Sequence, residues 1–368
     1  MLWWTLRQLK SDDWRAAERA ALELGAAKEA QAVEPLLAVL ASGSDRVQQA
    51  AAWALAEIGD RRAVEPVIQA FRNNPVERYA KALAKLGDPR AVEPLLAALI
   101  HKDEAVRELA AGTIGKIDPE WARSPVARDA APMFLEALGD RDPEVKRWAL
   151  EVLERVGDPR AGEGLLRVIE CQTDAAGWAV RELNRIEPGW TRKPEAKAAV
   201  APLVAVLRTQ GFERELAAAT LAEIGDPDAV GPLIEALRDR DRDLRNASAR
   251  ALGKIRDSRA IAPVATAPLS GMLDPWVAQQ TLNAIDPKWA GAPEARTALL
   301  ACLYKLADDD RGVRQYAEAT LDVIDPSWPK SPEAQDAVPV FVARSEHSNA
   351  QVREAAQKVL ARIEAARP

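Results

Sequence analysis

Apolar residues recur along this chain at three-, four- and eight-residue offsets, and no stretch alternates as a strand would. The pattern predicts amphipathic helices throughout, of two kinds. One kind is introduced by the phrase Gly59-Asp60-Arg61-Arg62-Ala63-Val64-Glu65-Pro66-Val67. The phrase returns as Gly87-Asp88-Pro89-Arg90-Ala91-Val92-Glu93-Pro94-Leu95, with weaker copies at Gly157 to Leu165, Gly225 to Leu233 and Arg256 to Val264. Glycine stops one helix, the Asp side chain caps the next, and proline stands in its first turn, where a missing N–H costs least.

The second kind keeps a different register. An apolar residue is followed by a base, with Leu or Ile eight positions after the apolar one. Examples are Trp14-Arg15 with Leu22, Val106-Arg107 with Ile114, Val145-Lys146 with Leu153, Leu244-Arg245 with Leu252, Val313-Arg314 with Leu321 and Val352-Arg353 with Leu360. An Asp usually precedes the anchor (Asp13, Asp45, Asp103, Asp142, Asp310) and is expected to be the N-cap. Small residues such as Ala50, Ala51, Ala110 and Ala111 let neighbouring helices approach closely. Two helix types in alternation, repeated at a period of about thirty residues, make a stack of antiparallel helix pairs.

A further motif interrupts the repeat four times: Ile117-Asp118-Pro119-Glu120-Trp121, Ile186-Glu187-Pro188-Gly189-Trp190, Ile285-Asp286-Pro287-Lys288-Trp289 and Ile324-Asp325-Pro326-Ser327-Trp328. A proline that opens the next helix follows each (Pro125, Pro194, Pro293, Pro332). The steps from Pro35 to Pro66 to Pro94 are 31 and 28 residues, whereas Pro94 to Pro132 is 38; the extra length is the Trp loop. Its recurrence predicts an indole packed into the gap that a longer connection leaves. The register gives roughly eleven helix pairs.

The phrase at 87–95 and Asp-x-x-Val-Arg at 103–107 resemble the HEAT-like repeats first described in phycobilisome (bilin) lyase subunits. The resemblance covers essentially the whole chain. It implies an all-α, right-handed α-solenoid, one continuous array over residues 1–368, with first helices on the convex face and second helices on the concave one. Such repeats serve as scaffolds, adaptors, chaperone-like lyase subunits and occasionally enzymes, so the fold leaves function open.

Residues one and five places after the basic column are expected to line the concave face. They read Gln49 and Trp53, Glu108 and Gly112, Arg147 and Glu151, Gly177 and Arg181, Glu215 and Ala219, Asn246 and Arg250, Trp276 and Gln280, Gln315 and Ala319, Glu354 and Lys358. Signs are mixed, whereas a duplex-binding groove needs several aligned bases. The basic column itself is expected to be architectural, each base pairing with an Asp at a neighbouring helix start. Gln49, Trp53, Arg147, Glu151, Arg181, Arg250, Trp276 and Gln280 are the candidate partner-binding residues, because an exposed indole among arginines often anchors a protein partner. Trp3 and Trp4, at the open end of the array, are expected to cap its first pair.

Composition narrows the chemistry. The chain has 50 basic and 56 acidic residues, a formal charge of −6, which gives no general affinity for polyanions. Two histidines, His101 and His347, leave little for His-based metal or acid–base chemistry, and no catalytic or phosphate-binding motif is present. Cys171 and Cys302 cannot form a disulfide framework and suit a reducing compartment. The opening MLWWTLRQLK is too short an apolar run for a signal peptide, and a cytoplasmic bacterial protein is expected. The sequence therefore points to a non-catalytic scaffold or adaptor that binds a protein or peptide, with no cofactor, metal or membrane. The alternatives are a bilin-lyase-like chromophore carrier and a DNA-binding or DNA-glycosylase-like protein.

Overall fold

The computed structural model describes residues 2–172, 174–211 and 213–366. Among them are twenty-two α-helices and no strand, and the helices follow one another as antiparallel pairs. The chain forms two compact units, one up to Gly164 and one from Leu165 onward.

In the first unit the second helices Trp14–Ala26, Asp45–Ile58, Glu77–Leu86 and Glu104–Ile117 stack directly, each on the next. Small residues make this possible. Ala50, Ala51, Ala52 and Ala54 are buried, and a Cβ on Gly25 would lie 2.5 Å from the Ala54 Cα. First helices Val33–Ser42, Val64–Asn73 and Val92–Ala98 pack against them and send Leu36, Val67, Phe71 and Leu95 into the core. In the second unit Arg214–Ile224, Arg242–Ile255 and Pro275–Ile285 stack in the same way.

The Gly-Asp turns do what their residues predict. Gly59, Gly87 and Gly157 take the left-handed conformation that ends a helix. Asp60, Asp88 and Asp158 then accept the backbone N–H two residues on, and at Asp60 and Asp88 a 3₁₀ turn follows. Arg62, Arg90 and Arg160 fold back on those carboxylates, Arg90 Nε lying 2.9 Å from Asp88 Oδ1. In the second unit Gly225 repeats the cap, while Arg256 holds the same left-handed conformation (φ 61°) without being glycine.

The Trp loops are spacers. Trp121–Arg123, Trp190–Arg192, Trp289–Gly291 and Trp328–Lys330 are 3₁₀ turns whose indoles are buried. Each turn packs on the second helix that follows it, and direct packing between successive second helices largely gives way there. At about 25 cal/mol per Å² and about 200 Å² per indole, each insertion recovers about 5 kcal/mol of apolar burial before entropy. Proline at the next helix start follows as expected, and Ser124 and Ser331 cap Pro125–Ala137 and Pro332–Arg344. Because these helices begin earlier than their counterparts, Pro132 and Pro339 lie inside them rather than in the first turn.

Four expectations need correction. The helix at Asp45 starts on that residue, with Ser44 as an N-cap that makes no side-chain hydrogen bond. Most of the basic column serves carbonyls rather than carboxylates. Arg107 Nη1 donates to His101 O (2.7 Å) and Lys102 O (3.0 Å), and Arg245, Arg314 and Arg353 make the same pair of bonds five and six residues back. Those oxygens belong to the turn within each helix pair, so the guanidinium fork braces the pair internally. Arg214 donates to the Leu207 carbonyl and also joins a carboxylate, that of Asp239. Gly177, expected on the open face, is buried, because the Glu213 carboxylate reaches over it and accepts its N–H at 3.1 Å. That contact supplies the cap which Ala176–Ile186 lacks in its own sequence. Finally, Trp3 and Trp4 do not cap the first pair: Leu2–Gln8 buries none of its residues, and the two indoles are 71% and 59% exposed.

Candidate functional site

The eight candidate residues all lie on second helices, four in each unit, and their surroundings differ sharply. In the first unit Gln49 and Trp53 are half-buried on Asp45–Ile58. Glu77–Leu86 packs directly on that helix and lays Lys85 over the indole, its Nζ 5.3 Å from the Trp53 ring centroid. Lys85 is itself paired with Glu57 at 2.8 Å. Trp53 is thus part of the packing between helices. Arg147 and Glu151, on Pro143–Val156, are engaged along their own helix, Arg147 with Glu144 and Glu151 with Arg155 (2.7 Å).

In the second unit Arg181 is exposed but tied to Glu213 at 3.2 Å, the same carboxylate that caps Gly177. Arg250, Trp276 and Gln280 are different. All three are exposed, and no side-chain partner is recorded for any of them among the described residues. Trp276 is 69% exposed although it occupies the same register position as Asn246 and Gln315. The reason is the Trp289 turn, which stands between Pro275–Ile285 and the next second helix, so nothing covers the indole as Lys85 covers Trp53.

On its other side Pro275–Ile285 meets Arg242–Ile255 closely. A Cβ on Gly253 would lie 3.1 Å from the Ala284 Cβ and 3.6 Å from the Thr281 Cα. That register sets Asn246 beside Trp276 and Arg250 beside Gln280, since each pair is one or two turns before the contact. Arg245 ties the two segments together by donating from Nε to the Met272 carbonyl. Beside Trp276 a cleft of about 400 Å³ is lined by Arg242, Asn246, Met272, Pro275 and Tyr316, among others. Sequence register placed Arg250, Trp276 and Gln280 on one face. It missed Arg242, which lies one turn before Asn246 and two turns before Arg250.

Among the described residues no group of three or more His, Cys, Asp and Glu side chains could hold a metal ion, and no helix is long and apolar enough to cross a membrane. Each unit is a stack of helix pairs whose second helices present an open row of side chains, the arrangement of an α-solenoid repeat protein. Residues 4–81 and 200–270 match the family model of HEAT repeats, and residues 79–101 match that of the PBS lyase HEAT-like repeat. The matched segments thus resemble HEAT repeats in both units, and one in the first resembles the PBS lyase type.

Several solved structures are similar. An engineered protein is 21% identical, covering 99% of this chain and 98% of that one with a TM-score of 0.32. The complex of CpcE and CpcF of phycocyanin lyase from Nostoc is 19% identical, over 78% of this chain and 94% of that one, with a TM-score of 0.29. Importin beta is 16% identical, over 99% of this chain and 59% of that one, with a TM-score of 0.38. No curated protein matches the chain at a significant level. The repeat type rests on the matched family models and on the helix pairs themselves.

Proposed function

We propose that this protein is a non-catalytic interaction scaffold that binds a protein or peptide on its second-helix face, with the main contacts in the second unit. The observation that carries this reading is the exposed Trp276 beside Arg250 and Gln280, a cluster whose side chains are not spent on the fold. An indole that is 69% exposed on an otherwise well-packed stack has no structural task, whereas burying it under a partner is among the strongest single contributions to an interface. Trp53, Arg147, Glu151 and Arg181 have structural partners and Gln49 is half-buried, so these five supply at most the rim.

Affinity capture from the source cells tests the reading. A stoichiometric protein partner that binds the wild type, and binds the Trp276→Ala variant more weakly by about 2 kcal/mol or more, supports it. A partner with unchanged affinity for that variant moves the interface elsewhere. The PBS lyase HEAT-like match at residues 79–101 favours a second reading, a chromophore carrier or chaperone of the bilin-lyase kind. A visible absorption band on the purified protein, or its appearance when free bilin is added, would put that reading first.

A further inference from the structure

Arg250 stands apart from the other face arginines by its surroundings. Arg147 and Arg181 are neutralised by Glu144 and Glu213, while Arg250 and Arg242, both exposed on Arg242–Ile255, have no carboxylate partner recorded among the described residues. Lys254, one turn further on, is tied back to Glu223. The neighbouring helix Pro275–Ile285 reads PWVAQQTLNAI and contains no charged residue; the acids on that side are its N-cap Asp274 and Asp310 of the next second helix. Arg245 adds a third positive charge, since its recorded partners are the carbonyls of Asp239, Arg240 and Met272. Asp241, Asp274 and Asp310, the carboxylates at the edge of this face, each accept a backbone N–H at a helix start. Those carboxylates keep their charge, so what marks this face is two exposed guanidinium groups outside any ion pair among the described residues, beside an exposed indole.

We propose that the face formed by Arg242, Arg250, Trp276 and Gln280 docks an acidic polypeptide segment that carries one large apolar side chain. This rests on the scaffold reading and specifies its partner. Carboxylates of the segment reach Arg242 and Arg250, neither of which forms an internal ion pair among the described residues. The apolar side chain lies against the Trp276 indole at the mouth of the cleft lined by Asn246, Met272 and Tyr316. The Gln280 amide, which can donate and accept, serves the segment's backbone. A nucleic acid strand fits less well. It carries a phosphate at every nucleotide, whereas the next second helix back, Arg214–Ile224, presents Glu215 and Glu223.

The test is fluorescence anisotropy at low salt with four labelled probes: an Asp/Glu dodecapeptide with a central Phe, the same peptide with Ala there, a Lys/Arg counterpart, and a short oligothymidylate. The acidic Phe peptide is expected to bind best. Arg242→Glu combined with Arg250→Glu should weaken it at least about tenfold. Trp276→Ala should remove the preference for Phe over Ala, and the melting temperature of both variants should stay within about 2 °C of wild type, because the altered side chains are exposed. Equal affinity for the charge-reversed variant, tighter binding of the basic peptide or the oligothymidylate, or no binding of the acidic peptide would each overturn the proposal. Failure here is separable from failure of the scaffold reading. A partner captured from source cells whose affinity ignores the Arg242 and Arg250 changes but drops with Trp276→Ala removes the acidic-segment proposal and leaves the scaffold.

Discussion

The indole N–H of Trp328 donates to Asp322 Oδ1, six residues earlier on the preceding helix, at 2.9 Å. Trp190 makes the same bond to Asn184 at the same spacing and distance. The bond fixes the depth at which the ring enters the stack. Arg362 from the last helix covers the Trp328 ring at 4.7 Å and bonds Asp322 and Glu318 as well. Trp328→Ala should lower stability by about 3–5 kcal/mol, the range for deleting a buried aromatic. Asp322→Ala should cost about 1–3 kcal/mol by leaving the buried N–H unpaired. Chemical denaturation checks both, and a cost below about 1 kcal/mol for Trp328→Ala would show that the ring is not a spacer.

Close stacking of second helices depends on Gly25. A side chain there meets Ala54 backbone at 2.5 Å. Gly25→Val is expected to destabilise the first unit by about 1–3 kcal/mol or more, as overpacked positions do. The opposite sign is expected at Arg256, which holds a left-handed conformation that favours glycine. Arg256→Gly should raise stability by about 0.5–1 kcal/mol. Thermal melts of the two variants read both effects, and destabilisation by Arg256→Gly would contradict the second.

The turn carboxylates make stability depend on acid. Hydrogen bonds from Arg62, Arg90, Arg160 and Arg259 hold Asp60, Asp88, Asp158 and Asp257 below the usual carboxylate range, partly opposed by burial. A folded-state pKa lowered in this way stabilises the fold at pH values above the unfolded value of about 3.9 and loses that effect as pH falls through the folded value. Asp88→Asn should therefore destabilise the protein at neutral pH, and the gap to wild type should shrink as pH drops below about 4. Melting temperatures measured across that window decide it. A gap that stays constant would show that the carboxylate acts only as a helix cap.

The two cysteines should differ in reactivity. Cys302 is fully buried in the core of the second unit, beside Leu303, Leu321 and Phe341, and burial pushes its thiol up to about 12. Cys171 is exposed. Iodoacetamide at neutral pH should add one label per native chain, at Cys171, and a second only in denaturant. Rapid double labelling without denaturant would mean that the core around Trp328 opens readily.

Much of this was legible in the sequence because it is written in local rules. Gly59-Asp60 and Gly87-Asp88 form the caps their residue types require, and the Ile-Asp-Pro-x-Trp motif places a buried indole each time. What was not legible depends on partners distant in sequence. Residue order suggests Asp partners for Arg107 and Arg245, yet they serve turn carbonyls, which no residue identity encodes. Gly177 is covered by Glu213 from 36 residues away. Trp53 and Trp276 are both face positions of second helices, Trp53 one turn further along its helix, and their exposure depends on the element that follows each. A direct stack lays Lys85 over the first, and a Trp turn leaves the second open.

The proposed partner docks against the second helices of the second unit. A photo-crosslinking amino acid placed at Gln280 in source cells, with a control at Ala201 on the first helix Val200–Leu207, tests this most directly. Both positions are exposed, so local reactivity is matched. A discrete protein adduct from position 280, lost when Trp276 is also changed to Ala, with none from position 201, is the expected result. Adducts from position 201 alone, or no adduct from position 280, would contradict it.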